Sequence, residues 1–300
     1  MSGLNLTGAV SLWAHRTPAV EAAILIGSQA RPAADPLVRP DAFSDWDFQL
    51  VARRPAAFCS PRWIDDLDCG PARSYVVRKA LWKGGLKINA TFAGAEADFM
   101  ILPTWPLRRL HWLSAAGFHR REGGTRSSLQ ALIHYVRPSW KFLKDAGWLE
   151  PLYRRAAELP DPRLSDASIR QLAAEFWCDY RWLLRKLERG ELLAAQRTLH
   201  LELAEVNFRL RHELSLRRGR PSFEKARRLE QLSSAEELAV LSVSAPCDHR
   251  ALRAAAEQSA AACRQLLHGL LEKAAPPFCA IPAQKQRQPQ YNEQPANRAM

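Results

Sequence analysis

Between Ala22 and Val51 the chain reads "AAILIGSQARPAADPLVRPDAFSDWDFQLV". A short apolar run stops at Gly27-Ser28, a proline-rich loop follows, and the chain re-enters an extended segment in which Asp45 and Asp47 flank Trp46. Successive side chains of a strand alternate faces, so Asp45 and Asp47 point one way while Trp46, Phe48 and Leu50 point the other. One face is acidic and the other belongs to a core.

Working outward, strand-like runs recur at Ile24–Ile26, Asp47–Val51, Tyr75–Leu81, Leu86–Thr91 and Asp98–Leu102. Gly84-Gly85 and Ala93-Gly94 stand where hairpin turns would join three of them. The segment "EADFMIL" offers Glu96 and Asp98 on one face, with Phe99 and Ile101 on the other. If this strand neighbours the Asp45–Asp47 strand, three or four carboxylates converge. Two like charges about 4 Å apart repel by roughly 4 kcal/mol at an effective dielectric near 20, so such a group calls for a cation. Mg²⁺ is the natural candidate, because it is held by few carboxylates together with water and substrate phosphates. Gly27 lets the backbone approach a phosphate closely, Ser28 adds a hydroxyl donor, and Arg31 adds positive charge on the same loop. The loop lacks the Gly-Lys-Ser/Thr of a P-loop.

Composition changes after about residue 160. From Ser165, apolar residues recur at three- and four-residue steps through Ile169, Leu172, Phe176, Tyr180, Leu183 and Leu187, with Gly190 as a stop. A second helix is expected from Glu191 to about Arg218 and a third from His249 to Lys273. The last twenty residues, rich in Gln, Pro and Asn, cannot offset their ordering entropy by burial. The expected organisation is α+β: a mixed-sheet domain over residues 1–160, a helical bundle over 161–280 and a disordered tail over 281–300. Forty-three Lys and Arg against 31 Asp and Glu give a formal charge of +12, a field that attracts polyanions. The six cysteines show no Cys-x-x-Cys and no zinc spacing, and no apolar run reaches the length of a membrane span. Reduced thiols, a cytoplasmic location and no membrane partner are the expectations.

The order Gly27-Ser28, then Asp45-Trp46-Asp47 after Phe43, then Asp98 in an apolar strand ending at Pro103, resembles the nucleotidyltransferase superfamily. More specifically it is similar to the aminoglycoside 6-adenylyltransferases, the streptomycin-modifying antibiotic-resistance enzymes. Gln29 stands where that family commonly has Arg, and Trp46 where it has Tyr. "AAEFWCDYRWLLRKLERGELLAAQ" is similar to the family's Glu-Phe-Trp helix, and "SFEKARRLEQLS", with Lys225, resembles its later basic segment. The resemblance implies a nucleotidyltransferase fold at the N-terminus and Mg²⁺-dependent transfer of AMP from ATP to a hydroxyl of an aminoglycoside-like acceptor, releasing pyrophosphate. It further implies Asp45, Asp47 and Asp98 as catalytic metal ligands, Gly27, Ser28, Arg31 and Lys225 as nucleotide contacts, and Glu175 and Asp179 as contacts to a cationic acceptor.

A second class stays open: a protein of the same fold acting on RNA or protein, or binding nucleotide without catalysis, for which the charge of +12 speaks. The segment "RLRHELSLRRGRPSFEKARR" has one aromatic, Phe223, and so lacks the stacking platform of a single-strand binder; the sequence points away from nucleic acid without closing that door. Glu175 and Asp179, one helical turn apart, also read as a solvated face balanced by Arg181 and Arg185. Trp105, Trp112, Trp140 and Trp148 read as packing, and the histidines show no metal spacing.

Overall fold

The computed structural model describes residues 5–31, 40–41, 43–79, 84–136 and 139–271. The expected tail, Cys279 and most of the proline-rich loop lie outside these residues. The chain divides into two compact units, Met1–Pro162 and Arg163–Met300.

In the first unit the elements run α1 (Leu6–Arg16), β1 (Val20–Ile26), β2 (Trp46–Ala52), α2 (Arg62–Asp65), β3 (Ser74–Lys79), β4 (Leu86–Phe92), β5 (Ala95–Pro103), α3 (Thr104–Ala115), α4 (Gly124–Val136), β6 (Trp140–Lys144) and α5 (Leu149–Glu158). Among the described residues six strands form one sheet in the order β3-β4-β5-β2-β1-β6. The β2–β5 pair at its centre is parallel and the other pairs are antiparallel, so the sheet is mixed. The Ala93-Gly94 turn joins β4 to β5 as expected, Gly94 taking a φ of 92° that a hairpin turn needs and a glycine supplies without strain.

Strand alternation gives the sheet two apolar faces. Phe48, Leu50, Ile88, Phe99 and Ile101 pack with α1 and α2 on one side, where Phe48 stacks on Phe99 at 5.3 Å and Trp63 meets Phe99 edge-on at 5.0 Å. Such aromatic pairs add about 0.5–1.5 kcal/mol each beyond the area they bury. Ala22, Ile24, Val51 and Leu102 face the other way, against Leu107, Leu110, Leu129, Leu149, Leu152 and Tyr153 of α3, α4 and α5. The sheet is therefore sandwiched between helices. Gln49, fully buried on this second face, accepts a hydrogen bond from the hydroxyl of Tyr153, which ties β2 to α5. Burial without a charged neighbour pushes the Tyr153 phenol well above its usual pKa.

One expectation fails in this unit, and several elements were not expected. Strand β6 and helices α3 to α5 lie outside the strand runs read above, although α3 and α5 space their buried residues regularly, at Thr104, Leu107, Leu110 and Ser114 and at Leu149, Leu152, Tyr153 and Ala156. Trp140 and Trp148 pack against the second face as expected, but Trp105 and Trp112 do not: they are 63% and 54% exposed.

The second unit contains α6 (Asp166–Glu188), α7 (Leu192–Arg197), α8 (Ala204–Arg217), α9 (Leu229–Leu232), α10 (Ala235–Leu241) and α11 (His249–Leu270). Ser165 caps α6 by accepting from the Ser168 N–H at 3.1 Å, as a helix-opening serine should. The single helix expected from Glu191 to Arg218 is instead interrupted by a π-helical turn over Thr198–Leu203. Helix α11 buries Ala255, Ala256, Ser259, Ala260 and Cys263, small side chains that let it lie close to α8, and Asn207 Nδ2 donates to both Ser259 O and Oγ at 3.0 Å. Burial pushes the Cys263 thiol up to about 12, so it is an unreactive core group. Five cysteines are free thiols among the described residues. No helix among those residues is long and apolar enough to cross a membrane.

Candidate active site

The parallel β2–β5 register sets Asp47 beside Asp98, and Asp45, two residues before Asp47, falls on the same side. One carboxylate oxygen from each of Asp45, Asp47 and Asp98 lies within 4.8 Å of the others. Asp45 is exposed while Asp47 and Asp98 are half-buried, so the group opens to solvent on one side only. Glu96 does not join it: it is exposed and paired across to Thr91, beyond the point where β2 begins.

Two residues that the sequence reading passed over hold Asp98. Asn89 and Lys87 lie on neighbouring β4, where Asn89 stands directly across from Asp98. The Asn89 amide donates to Asp98 Oδ1, and Lys87 Nζ lies 2.6 Å from Oδ2. Both carboxylate oxygens are thus engaged, and their direction is fixed. The signal was available, since counting outward from the Ala93-Gly94 hairpin places 89 opposite 98.

Gly27 follows Ile26, whose register partner on β2 is Asp47. Its φ of 73° and ψ of −153° belong to a region that glycine alone adopts readily. A Cβ built there would stand 2.3 Å from Asp47 Oδ2 and 3.0 Å from its Cγ. The backbone therefore passes directly against the carboxylate, and Ser28–Ala30 then turn as a short 3₁₀ segment in which the Arg31 N–H donates to Ser28 O at 3.2 Å. Gly27, Ser28 and the three aspartates are brought to one end of the sheet.

A group of three carboxylates this close fits a divalent cation, with Asp98 partly compensated by Lys87. Coordination positions left over by the carboxylates would take the water and substrate oxygens that Mg²⁺ prefers to keep.

Lys225, Glu175 and Asp179 belong to the second unit. Lys225 sits in a turn with φ 56°, followed by Ala226 and Arg228 in the same left-handed region. Glu175 is exposed on α6, accepts from Gln171 Nε2 at 3.0 Å and lines a surface cavity of about 350 Å³ together with Ser168, Leu172 and Arg209. Asp179, one turn on, is half-buried. Its carboxyl is held above its ordinary pKa by burial first, and then by the negative charges of Glu202 and Glu175. Glu202 lies on the π-helical turn and was not singled out in the sequence, because the periodicity there reads as an unbroken α-helix.

No family model matches this chain, and no curated protein is significantly similar to it. Among solved structures it is similar to an aminoglycoside 6-adenyltransferase from Bacillus subtilis, at 12% identity and a TM-score of 0.37 over 90% of this chain and 92% of that one. It is also similar to a nucleotidyltransferase-like protein from Exiguobacterium sibiricum 255-15, at 10% identity and a TM-score of 0.37 over 88% of this chain and 77% of the other.

Proposed function

We propose that the protein is a metal-dependent nucleotidyltransferase that moves AMP from ATP to a hydroxyl of a cationic, aminoglycoside-like acceptor. The observation that carries this reading is the convergence of Asp45, Asp47 and Asp98 within 4.8 Å, with the Gly27–Ser28 turn pressed against Asp47. Carboxylates so placed bind a cation that carries a triphosphate, and the adjoining turn offers N–H groups and a hydroxyl to its oxygens.

Asp45, Asp47 and Asp98 would hold Mg²⁺. The bound cation supplies neutralisation of the charge that develops at the reacting phosphorus. Ser28, on the turn that Gly27 makes possible, grips the terminal phosphates, with Arg31 as a further phosphate contact. Asp98, aimed by Asn89, takes the proton of the acceptor hydroxyl as its oxygen attacks the α-phosphorus; the bond to the β-phosphate breaks and pyrophosphate leaves. Lys87, paired with Asp98 Oδ2, holds that carboxylate in place before substrate arrives.

The preference for a cationic acceptor is supported by the second unit. Asp179 is held above its ordinary pKa by burial first and then by the negative charges of Glu202 and Glu175, so three carboxylates lie near enough to one another to favour a cationic partner. The test is pyrophosphate release from ATP by the purified chain with Mg²⁺ present or chelated, in the presence of streptomycin and then of other aminoglycosides. Release that needs both metal and an aminoglycoside is the expected result. Release with RNA or protein alone would move the acceptor to another class, which the net charge of +12 favours. No release and no binding of Mg·ATP would refute the transferase reading.

A further inference from the structure

The two exposed tryptophans of α3 stand at the opposite end of the sheet from the carboxylates. Asp47 and Asp98 pair at one end of β2 and β5, and Ala52 and Pro103 pair five residues further on, about 16 Å away at the rise of a strand. Helix α3 begins there. Trp105, Arg109 and Trp112 follow at four- and three-residue steps, so they share one outward stripe. All three are exposed, and the two indoles meet edge-on with ring centroids 5.7 Å apart, which holds both rings in place.

Beside this stripe lies a cavity of about 290 Å³ lined by Glu21, Arg53, Thr104, Trp105 and Arg108. Glu21 accepts from Arg53 Nε at 3.0 Å and from Arg108 Nη2 at 3.1 Å. Each guanidinium carries five N–H donors, so this pairing orients both groups and leaves donors for an anion. The Thr104 side chain is 93% buried by its 7% exposure, and its hydroxyl has no hydrogen-bond partner. It opens α3, whose first turn carries no acidic residue and no side-chain cap, so the positive end of the helix adds to the two guanidinium charges in a cavity where Glu21 supplies the one carboxylate among the described residues.

We propose that the Trp105–Arg109–Trp112 stripe and the adjoining Arg53–Thr104–Arg108 cavity bind single-stranded nucleic acid. Planar rings half in water lose that exposure by stacking on bases, guanidinium groups and a helix N-terminus take the phosphates, and an open surface suits a strand running past it. An isolated nucleotide would remain largely solvated in so open a cavity, and a duplex hides the base faces that the indoles need. The inference is independent of the transferase reading, since it uses none of the carboxylate-site residues.

The test is fluorescence anisotropy of the full-length protein with a short labelled single-stranded oligonucleotide, with a duplex and inorganic polyphosphate as competitors. Trp105→Ala and Trp112→Ala should each weaken single-strand binding about five- to a hundredfold while leaving polyphosphate binding unchanged. Arg109→Ala should weaken binding and flatten the dependence of log affinity on log salt by about 0.7. Asp47→Asn should bind the strand as tightly as wild type, which separates this site from nucleotide transfer. The proposal is overturned by any of three results: no single-strand binding by wild type, equal competition by duplex, or wild-type affinity in a Trp105→Ala/Trp112→Ala double variant shown by circular dichroism to be folded.

Discussion

A methyl group on Gly27 would stand 2.3 Å from Asp47 Oδ2, well inside van der Waals contact, on a backbone whose φ of 73° already disfavours any side chain. Gly27→Ala should therefore cost about 1–3 kcal/mol in urea unfolding and shift Asp47 out of place, so that Mg²⁺ affinity falls together with stability. Asp47→Asn behaves differently. Removing one of three mutually repelling carboxylates should leave the melting temperature in metal-free buffer unchanged or higher, while turnover drops on the order of a hundredfold or more. Wild-type turnover by the folded Asp47→Asn variant would contradict the metal assignment. Asn89→Ala tests the support of Asp98: it leaves the carboxylate in place but unaimed, and Mg²⁺ affinity measured by calorimetry should fall about 10- to 100-fold. All three aspartates were legible from the period of two in "DWDF" and "EADF". Asn89 and Lys87 were not read, because neither residue type announces a role; only the hairpin register assigns one.

At the scale of elements, β2 is where core and site meet. Its alternation sends Phe48 and Leu50 to one apolar face and Asp47, Gln49 and Val51 to the other, so the same strand that fills the sandwich carries the acidic pair to its end. Gln49 is the hidden partner of that arrangement. Tyr153→Phe would strip the hydrogen bond from its buried Oε1, with its Nε2 already lacking a partner, and should cost about 1–3 kcal/mol of stability by thermal unfolding. Strand ends at glycine turns were read best, since alternation and turn chemistry agree there: β1 ends at Ile26 and β4 starts at Leu86 as expected, whereas β1 and β5 start at Val20 and Ala95, four and three residues before their expected starts. Helices α3 to α5 were not read, although Leu149, Leu152, Tyr153 and Ala156 of α5 stand at helical spacing, and for Trp105 and Trp112 the reading as packing was wrong. The π-helical turn at Thr198–Leu203 was invisible because one residue of extra winding barely disturbs a 3.6-residue pattern. It matters because Glu202 rides on it. Desolvation and the charges of Glu202 and Glu175 raise the Asp179 pKa, so the native state binds its proton more tightly than the unfolded chain does. The contribution of Asp179 to stability is therefore greatest at low pH and falls as pH rises through the raised value; Asp179→Asn should flatten that part of the stability–pH profile. Binding of a polycation to the second unit should follow the opposite course and weaken as the pH drops through the same range.

Over the whole molecule, the α+β composition and the change from sheet to bundle were evident from spacing alone, because period two gives way to period 3.6 after about residue 160. The net charge of +12 was also plain, but its distribution was not: the sequence offered an arginine-rich segment from Arg209 to Arg228, whereas the structure exposes aromatic rings with arginines on α3. A ligand that binds only the folded chain stabilises it by mass action, so Mg·ATP at a hundred times its dissociation constant should add about 2.7 kcal/mol to the unfolding free energy. That gain should vanish with a chelator and in Asp47→Asn. The most direct measurement is pyrophosphate release from ATP by the wild-type chain and by Asp47→Asn, side by side, with Mg²⁺ and streptomycin present or withheld. The account predicts release by wild type only when metal and a cationic acceptor are both supplied, and none from the variant. Equal release by the variant, or release by wild type in the presence of excess chelator, would contradict it.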